Sequence, residues 1–517
     1  MMTLATLFLA SAERTPAATA LVDEATSLTY LELAARVRRM SDALRTLGVS
    51  SLGRVAILLE KSVDAAAMIL AVADAGAICV PVNPKLKADQ VGHILADSGA
   101  EILVCSSHRL ASLGALPATL EHVLVLDDGE AESSVAVTAL ASLRGVDAPA
   151  TPRHRRIDSD PAAILYTSGS TGAPKGVVVT HRNLVVGCQS VVEYLELTRE
   201  DTILALLPLS FDAGLSQLST GLAVGAKVVL HTPLRPQAVA QAIMRHRVTA
   251  ITAVPPLWSL VAEADWTDVD TRSVRLIANT GGHMNGPLLA RLRAIFTQAQ
   301  PFLMYGLTEA FRSTYLDPAE VKRRPDSIGK AIPNAEILVL REDGTPCDAG
   351  EPGELVHRGP LVTLGYWNAP ERSAQRFKPH ASPLATGLTP EMAVWSGDIV
   401  RRDEEGFLYF IGRRDEMLKA SGYRISPTEI ESVVAAAPGV REVIAMGKPA
   451  GDVGDALFAI VVPFGPDFSP ALVDAHCERT LPRYMVPSVV VVDALPRSPN
   501  GKIDRSALRA LLPEVQS

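Results

Sequence analysis

Aromatic residues make up only 5% of this 517-residue chain, although 48% of it is hydrophobic. A core with so few rings has to be built from Ala, Val, Ile and Leu, as in parallel sheets covered by helices on both faces. Collagen-like and disordered classes are excluded by the same numbers. Cysteine is equally scarce: five residues, at positions 79, 105, 188, 347 and 477, form an odd set with no Cys-x-x-Cys pair. That excludes a disulfide framework and a zinc ribbon and points to the reducing cytoplasm. Positive charge is not in excess either, with 49 basic against 57 acidic residues and a net charge of −8. The one local basic cluster, Arg153 to Arg156, sits in a proline-containing stretch, so the footprint of a nucleic-acid partner is missing.

Long apolar runs are absent as well. The most apolar stretch, Ala65 to Val82, is interrupted by Asp74 and flanked by Asp64, charges too costly for a bilayer, so no membrane span is expected. The apolar N-terminus meets its first basic residue only at Arg14. It therefore lacks the positive start of a signal peptide and reads as a first amphipathic helix. No repeat of solenoid period is visible.

The length suggests about three structural units at ~150 residues each. Short β-branched or apolar runs recur at Val55–Leu59, Ile102–Cys105, Val123–Leu126, Ile203–Pro208, Lys227–Leu230, Ala250–Val254, Val274–Ala278 and Phe302–Tyr305. Stretches of helical spacing separate them, which predicts α/β architecture with mostly parallel sheets. Pro149–Pro161 and Lys378–Pro390 read as loops or linkers. From Pro333 the texture changes to short strands punctuated by Gly, Pro and Asp, predicting a small β-rich subdomain over 333–411. The expected plan is a large N-terminal body, 1–412, and a small α+β C-terminal domain, 413–517.

The segment Tyr166–Gly176, YTSGSTGAPKG, holds four Ser and Thr residues, three glycines and one lysine between two apolar runs. Glycines let backbone N–H groups approach phosphate oxygens, hydroxyls add donors, and Lys175 adds positive charge. This is phosphate-cradling chemistry, and it is neither the P-loop nor the dinucleotide fingerprint, because proline stands at 174 and glycine follows Lys175.

Further segments stand in a fixed order: YGLTEA at Tyr305–Ala310, WSGDIV at Trp395–Val400, GRRDEMLKASGYRISPTEIE at Gly412–Glu431 and NGKIDR at Asn500–Arg505. With them the chain resembles, over nearly its whole length, the ANL superfamily of adenylating enzymes: acyl- and aryl-CoA synthetases, peptide-synthetase adenylation domains and luciferases. The resemblance implies that Thr167, Ser168, Gly169, Ser170, Thr171, Gly172 and Lys175 bind the phosphates of ATP. It also implies that Thr308 contacts phosphate and Glu309 holds Mg²⁺. Asn279, Thr280 and Gly281 would form the adenine-contacting turn beside Tyr305 and Gly306. Asp398 would accept from the ribose hydroxyls, Arg413 would stabilise the nucleotide, and Lys502 would be the catalytic lysine that meets both carboxylate and α-phosphate. Asp415 matches the hinge about which the C-terminal domain turns as a mobile lid. Lys419, Ser421, Gly422 and Tyr423 lie on the segment that would enter the site for the thiol step.

The implied activity is ATP-dependent conversion of a carboxylic acid to an acyl-adenylate, followed by transfer to a thiol. Phe211, Asp212, Trp258, Gly281 and Phe311 are candidates to line the acid pocket. A Phe-Asp pair placed like Phe211-Asp212 binds the α-amino group of an amino acid in peptide-synthetase domains; helix capping by Asp212 is the other reading, and the sequence leaves both open. Fifteen residues follow Lys502, too few for a fused carrier, so the expected thiol is CoA, with the phosphopantetheine of a separate carrier protein as the alternative. SFDAGLSQ, TAVPPLW and RPDSIGKAIPNAEI are most similar to the AMP-forming ligases associated with bacterial exosortase A systems. A luciferase-like oxygenase would share the adenylation motifs, but the chain ends Val-Gln-Ser without a peroxisomal Ser-Lys-Leu. A scaffold without catalysis would be expected to have lost Lys175, Glu309, Asp398 or Lys502, and all four are present.

Overall fold

The computed structural model describes all residues except 1–2, 128, 130–132, 144–153, 168–173, 234, 381–389, 415, 421–422, 451–454, 466–467, 498–502 and 514–517, and omits the side chains of 419–420 and 423–424. Two large sheets form the body. The seven-stranded sheet runs Ala136–Ala139, His122–Val125, Ile102–Cys105, Arg54–Leu58, Ile78–Pro81, Pro161–Thr167, Lys175–Thr180. Its neighbours are parallel except for the closing hairpin, where Thr167 pairs with Lys175. The second sheet has a parallel centre, Lys227–Leu230, Thr202–Ala205, Ala250–Ala253, Leu276–Asn279, Gln300–Tyr305. Each expected strand is found, displaced by no more than a few residues at its ends.

The stretch Ala65–Val82 divides into the helix Val63–Ala75 and the strand Ile78–Pro81. Ser62 caps the helix through its hydroxyl, and Gly76, at φ +78°, ends it in the left-handed conformation that glycine adopts without strain. Eleven of its thirteen residues are buried, so it is apolar on nearly every side because it packs in the interior, not because it meets lipid. Leu70→Ala there would cost about 2–5 kcal/mol through the cavity left behind. Among the described residues no helix is long and apolar enough to cross a membrane.

After Tyr305 the second sheet turns antiparallel and continues through Thr314–Leu316, Ser327–Ala331, Leu408–Arg413, Glu391–Arg402, Pro352–Arg358 and Glu336–Leu340. The β-rich texture from 333 onward is thus an extension of this sheet. One loop expectation needs correction: within Lys378–Pro390, residues up to His380 belong to the strand Phe377–His380, paired with Glu391–Arg402. Pro379 is tolerated because this is an edge strand, where a missing N–H breaks no ladder on the outer side. Beyond Arg413 a separate three-stranded sheet, Val440–Pro449, Asp455–Pro463 and Ser488–Val491, packs with helices Pro427–Ala435, Pro470–Thr480 and Arg505–Leu511 around its own apolar clusters.

Candidate active site

The last parallel strand, Gln300–Tyr305, turns back into Thr314–Leu316, and the YGLTEA segment is the loop between them. A ligand site is expected at this carboxyl edge of a parallel sheet. The loop folds tightly. A Cβ on Gly306 would stand 3.1 Å from the Arg312 backbone, and the Arg312 N–H donates to the Ala310 carbonyl at 2.6 Å across Phe311, held at φ +57°, ψ −52°. That is a γ-turn, strained for a bulky residue. It is held by the burial of the Phe311 ring against Gly187.

The turn parts two charged side chains. Glu309, 7% exposed, accepts at Oε1 from Lys175 Nζ at 3.1 Å and from the Tyr366 hydroxyl at 2.6 Å, and Lys175 also donates to that hydroxyl at 2.9 Å. Burial alone would raise the Glu309 pKa, but the Lys175 charge, the Tyr366 hydrogen bond and Arg376 outweigh it and hold the carboxyl down at about 2. Burial draws Lys175 below the ordinary lysine value, against the pull of Glu309. Both of these bonds fall on Oε1, and among the described residues no side-chain hydrogen bond to Oε2 accompanies them. No group of three metal-binding side chains accompanies it among the described residues. One ionised carboxylate with an oxygen to spare fits Mg²⁺, which takes one or two protein carboxylates and completes its shell with phosphate and water.

A second cluster lies on the antiparallel extension. Asp398 accepts from the Tyr305 hydroxyl, sits 3.3 Å from Arg413 Nη1, and is paired with Arg413 across the strands. Its backbone is fixed by the Ser396 hydroxyl at 3.0 Å, and Glu354 holds the neighbouring Gly397 N–H at 2.8 Å and Arg414 at 3.0 Å. Gly397 is at φ +70°, and a Cβ there would lie 2.5 Å from Arg376. At the end of strand Leu276–Asn279, the Asn279 amide donates to the Gly282 carbonyl at 2.8 Å, and Gly281 turns at φ +72°. Asn279 Oδ1 and Thr167 Oγ1 are buried without a protein partner among the described residues. Such orphaned groups suit a site whose ligand completes them.

The other side of the γ-turn faces a narrow cavity of about 20 Å³. It lies between the parallel strands and the helices His181–Tyr194 and Asp212–Val224, with Ala213, Ser216, Gln217, Thr252, Met304 and Arg312 among its walls. Asp212 does not cap its helix. Phe211 is the N-cap and makes no side-chain cap bond, while Asp212 is the first helical residue and pairs with Arg312 Nη1 at 3.1 Å. The capping reading is thereby corrected: the buried guanidinium takes the carboxylate instead. Trp258 is corrected too, because it is fully buried in the cluster with Leu204, Ile251, Ile277 and Leu303. Those positions alternate with the cavity-facing Ile203, Thr252, Leu276 and Met304, so Trp258 packs on the opposite face of the sheet. The rings of Phe211 and Phe311 are not walls of this cavity either.

Ser168, Gly169, Ser170, Thr171, Gly172, Asp415, Ser421, Gly422 and Lys502 lie outside the described residues, and of Lys419 and Tyr423 only the backbone strands are described. Thr308 opens the short helical turn that carries Glu309. Sequence reasoning missed Tyr366, Arg376, Glu354 and Arg312. The first three lie in the β-rich region, whose turn-dense texture reads as scaffold. Arg312 stands just past a quoted motif, and only an arginine inside an apolar and hydroxyl-bearing stretch could have marked it.

Residues 8–367 match the family described as AMP-binding enzyme, and residues 429–502 match the AMP-binding enzyme C-terminal domain. The chain is 32% identical over 507 residues to an indoleacetate–CoA ligase of Aromatoleum aromaticum, covering 96% of both proteins. It is 32% identical over 512 residues to an L-proline–[L-prolyl-carrier protein] ligase of Pseudomonas fluorescens, covering 96% of this chain and 97% of that protein. It also matches tyrocidine synthase 2 of Brevibacillus parabrevis at 32% identity over 513 residues, 98% of this chain but only 14% of that much longer protein. Among solved structures, the O-succinylbenzoate coenzyme A synthetase of Bacillus subtilis in complex with ATP and magnesium ion superposes with a TM-score of 0.81 at 29% identity, covering 97% of this chain and 99% of that one. The chain belongs to the AMP-binding enzyme family of the ANL superfamily, as an AMP-forming ligase that activates an acid as its adenylate and passes it on to a thiol.

Proposed function

We propose that this chain activates a small carboxylic acid with ATP, releasing pyrophosphate, and then transfers the acyl group to the thiol of CoA, releasing AMP. The observation that carries the reading is the convergence of two clusters on one sheet edge, Lys175–Glu309–Tyr366 and Tyr305–Asp398–Arg413. In this reading Asp398 takes the ribose hydroxyls, with Arg413 fixing its carboxylate, and Asn279 to Gly281 meet the base. Lys175 and the glycine-rich segment from Thr167 to Gly172 hold the phosphates, and Thr308 adds a hydroxyl. Glu309, already ionised, holds Mg²⁺, which when bound neutralises charge on the departing pyrophosphate. The acid's carboxylate oxygen attacks the α-phosphorus, and Lys502 stabilises the charge shared between them. Rotation about Asp415 then exchanges Lys502 for the segment Lys419 to Tyr423, with Gly422 making room for the pantetheine arm.

CoA is favoured over a carrier protein by two of the relatives named above, whose own names give CoA as the acceptor. The carrier-protein reading rests on the proline ligase and on Asp212, yet Asp212 is already joined to Arg312. The segments SFDAGLSQ and RPDSIGKAIPNAEI further suggest the exosortase-A-associated ligases. Five free, buried cysteines fit a reducing cytoplasm.

The test is ATP–pyrophosphate exchange over a panel of acids, followed by thiol consumption with CoA. Exchange in the wild type that falls by about 10³ in Lys502→Ala, while thioester formation from supplied acyl-adenylate persists, is the expected result. Measurable ATP binding with no exchange for any acid would overturn the proposal.

A further inference from the structure

We infer that Arg312 sets acid selectivity, and that the acid activated here carries a second carboxylate, which Arg312 binds. The inference rests on the adenylation reading above and names the substrate class of that same site.

Arg312 is 3% exposed and lies in the wall of the cavity behind the γ-turn. Its guanidinium meets two acceptors among the described residues, Asp212 Oδ2 at 3.1 Å and the Phe311 carbonyl at 2.8 Å, and both are bound by Nη1. Nε is buried with no partner among those residues. The edge made by Nε–H and one Nη2–H is the fork that takes a carboxylate with two parallel hydrogen bonds. A buried arginine that is always charged and keeps that edge unfilled is costly unless a ligand fills it.

Much of the remaining polarity in the cavity is already engaged. Gln217 accepts from the Leu207 N–H at 3.1 Å and donates to the Leu204 and Thr252 carbonyls at 3.2 and 2.9 Å. The Thr220 hydroxyl donates to the Ser216 carbonyl at 2.7 Å. Arg312 is thus the cation in these walls with donors to spare. Its position also fits the chemistry, since Met304 precedes Tyr305 of the nucleotide cluster and Glu309 lies three residues before Arg312. In this proposal one carboxylate of a short acid meets the α-phosphate and the other fills the cavity at the guanidinium. Asp212 stays on Nη1, and it decides between two forms of such an acid. A plain dicarboxylate leaves the Asp212–Arg312 pair as it is, whereas an α-amino dicarboxylate places its ammonium on Asp212 and its distal carboxylate on Arg312.

The experiment is ATP–pyrophosphate exchange with the full chain on matched acids: straight dicarboxylates of four to eight carbons, their monoamides, their α-amino counterparts, and monocarboxylates of equal length. A dicarboxylate, plain or α-amino, is expected to exceed its monoamide and monocarboxylate in kcat/KM by at least about 10²-fold, since a pocket built to pair a group rejects the analogue that lacks it. Arg312→Met should erase that ratio through KM, and Arg312→Lys should restore part of it. Because Arg312→Met strands the Asp212 charge, the double variant Asp212→Asn/Arg312→Met is measured beside it, with circular dichroism as the check on folding. Loss of exchange in Asp212→Asn for the α-amino acids alone identifies the amino form; retention with plain dicarboxylates identifies the other. Exchange supported equally by monocarboxylates or monoamides overturns the role of Arg312 while leaving adenylation standing. No exchange with any acid overturns both.

Discussion

The two ends of this site hold their charges in opposite ways. At the nucleotide end Lys175, Glu309 and Tyr366 are bound to one another, and Asp398 lies against Tyr305 and Arg413. At the proposed acid end Arg312 is more deeply buried than Lys175 or Arg413, but among the described residues it is engaged at a single nitrogen. In the proposed reading the nucleotide end receives ATP, the ligand common to the family, and its charges are already paired with one another. At the proposed acid end the Nε of Arg312 has no partner among the described residues, and the ligand proposed for it is one that differs from enzyme to enzyme. The strained turn at Phe311 separates them, so only Ala310 and Phe311 stand between Glu309 and Arg312.

The strongest way to break this comparison is at Glu309. Glu309→Gln keeps the shape but removes the charge that pairs with Lys175 and the carboxylate offered to Mg²⁺. Adenylation of every acid should fall by on the order of 10² in kcat, with the ranking of acids unchanged. A variant that altered which acid is preferred, instead of slowing all of them together, would show that the two ends are not separable.

Asp398 should show a smaller effect of the same kind. Asp398→Asn keeps an acceptor for one ribose hydroxyl and loses the charge-assisted pairing. The KM for ATP should rise by about tenfold, the equivalent of roughly 1.4 kcal/mol, while the KM for the acid stays put. Steady-state kinetics varying one substrate at a time separates the two constants.

What could be read in the sequence follows the same division. The strand run Ile102–Cys105 was legible to the residue because a strand buried on both faces must be apolar throughout, and Lys227–Leu230 was legible because three buried apolar residues follow the half-buried Lys227. The residues proposed to meet the nucleotide stood out because phosphate and ribose demand fixed residue types in short segments. Lys175, Glu309 and Asp398 are brought to one edge although more than 200 positions separate the first from the last. Tyr366 was not legible, since a tyrosine in a turn-rich stretch becomes meaningful only when its hydroxyl is seen between Lys175 and Glu309. Trp258 was misread because a large aromatic fits a pocket and a core equally well, and only the alternation of the sheet assigns it to the far face. Arg312 needed three dimensions for another reason: its partner Asp212 lies 100 residues away, and no local pattern joins them.

The smallest expected effect concerns how the junction between the two ends is kept in place. His357 is fully buried behind Ser313, the residue after Arg312, with Nδ1 at 2.9 Å from the Ser313 hydroxyl, and burial pushes its pKa down to about 3. The unfolded chain accepts a proton on this ring near pH 6.5, whereas the folded chain refuses it. The contribution of His357 is therefore fully present above pH 6.5 and is lost as the pH falls from there toward 3, at up to about 1.4 kcal/mol per pH unit. His181, pushed down to about 4 by burial, acts in the same direction over the upper part of that range. Denaturant unfolding at pH 7, 6 and 5 should show stability falling with acidity, and His357→Gln should be less stable at pH 7 yet lose less on going to pH 5. An equal acid slope in that variant would mean that the ring takes up its proton as readily in the fold as in the unfolded chain, so that burial does not hold it neutral.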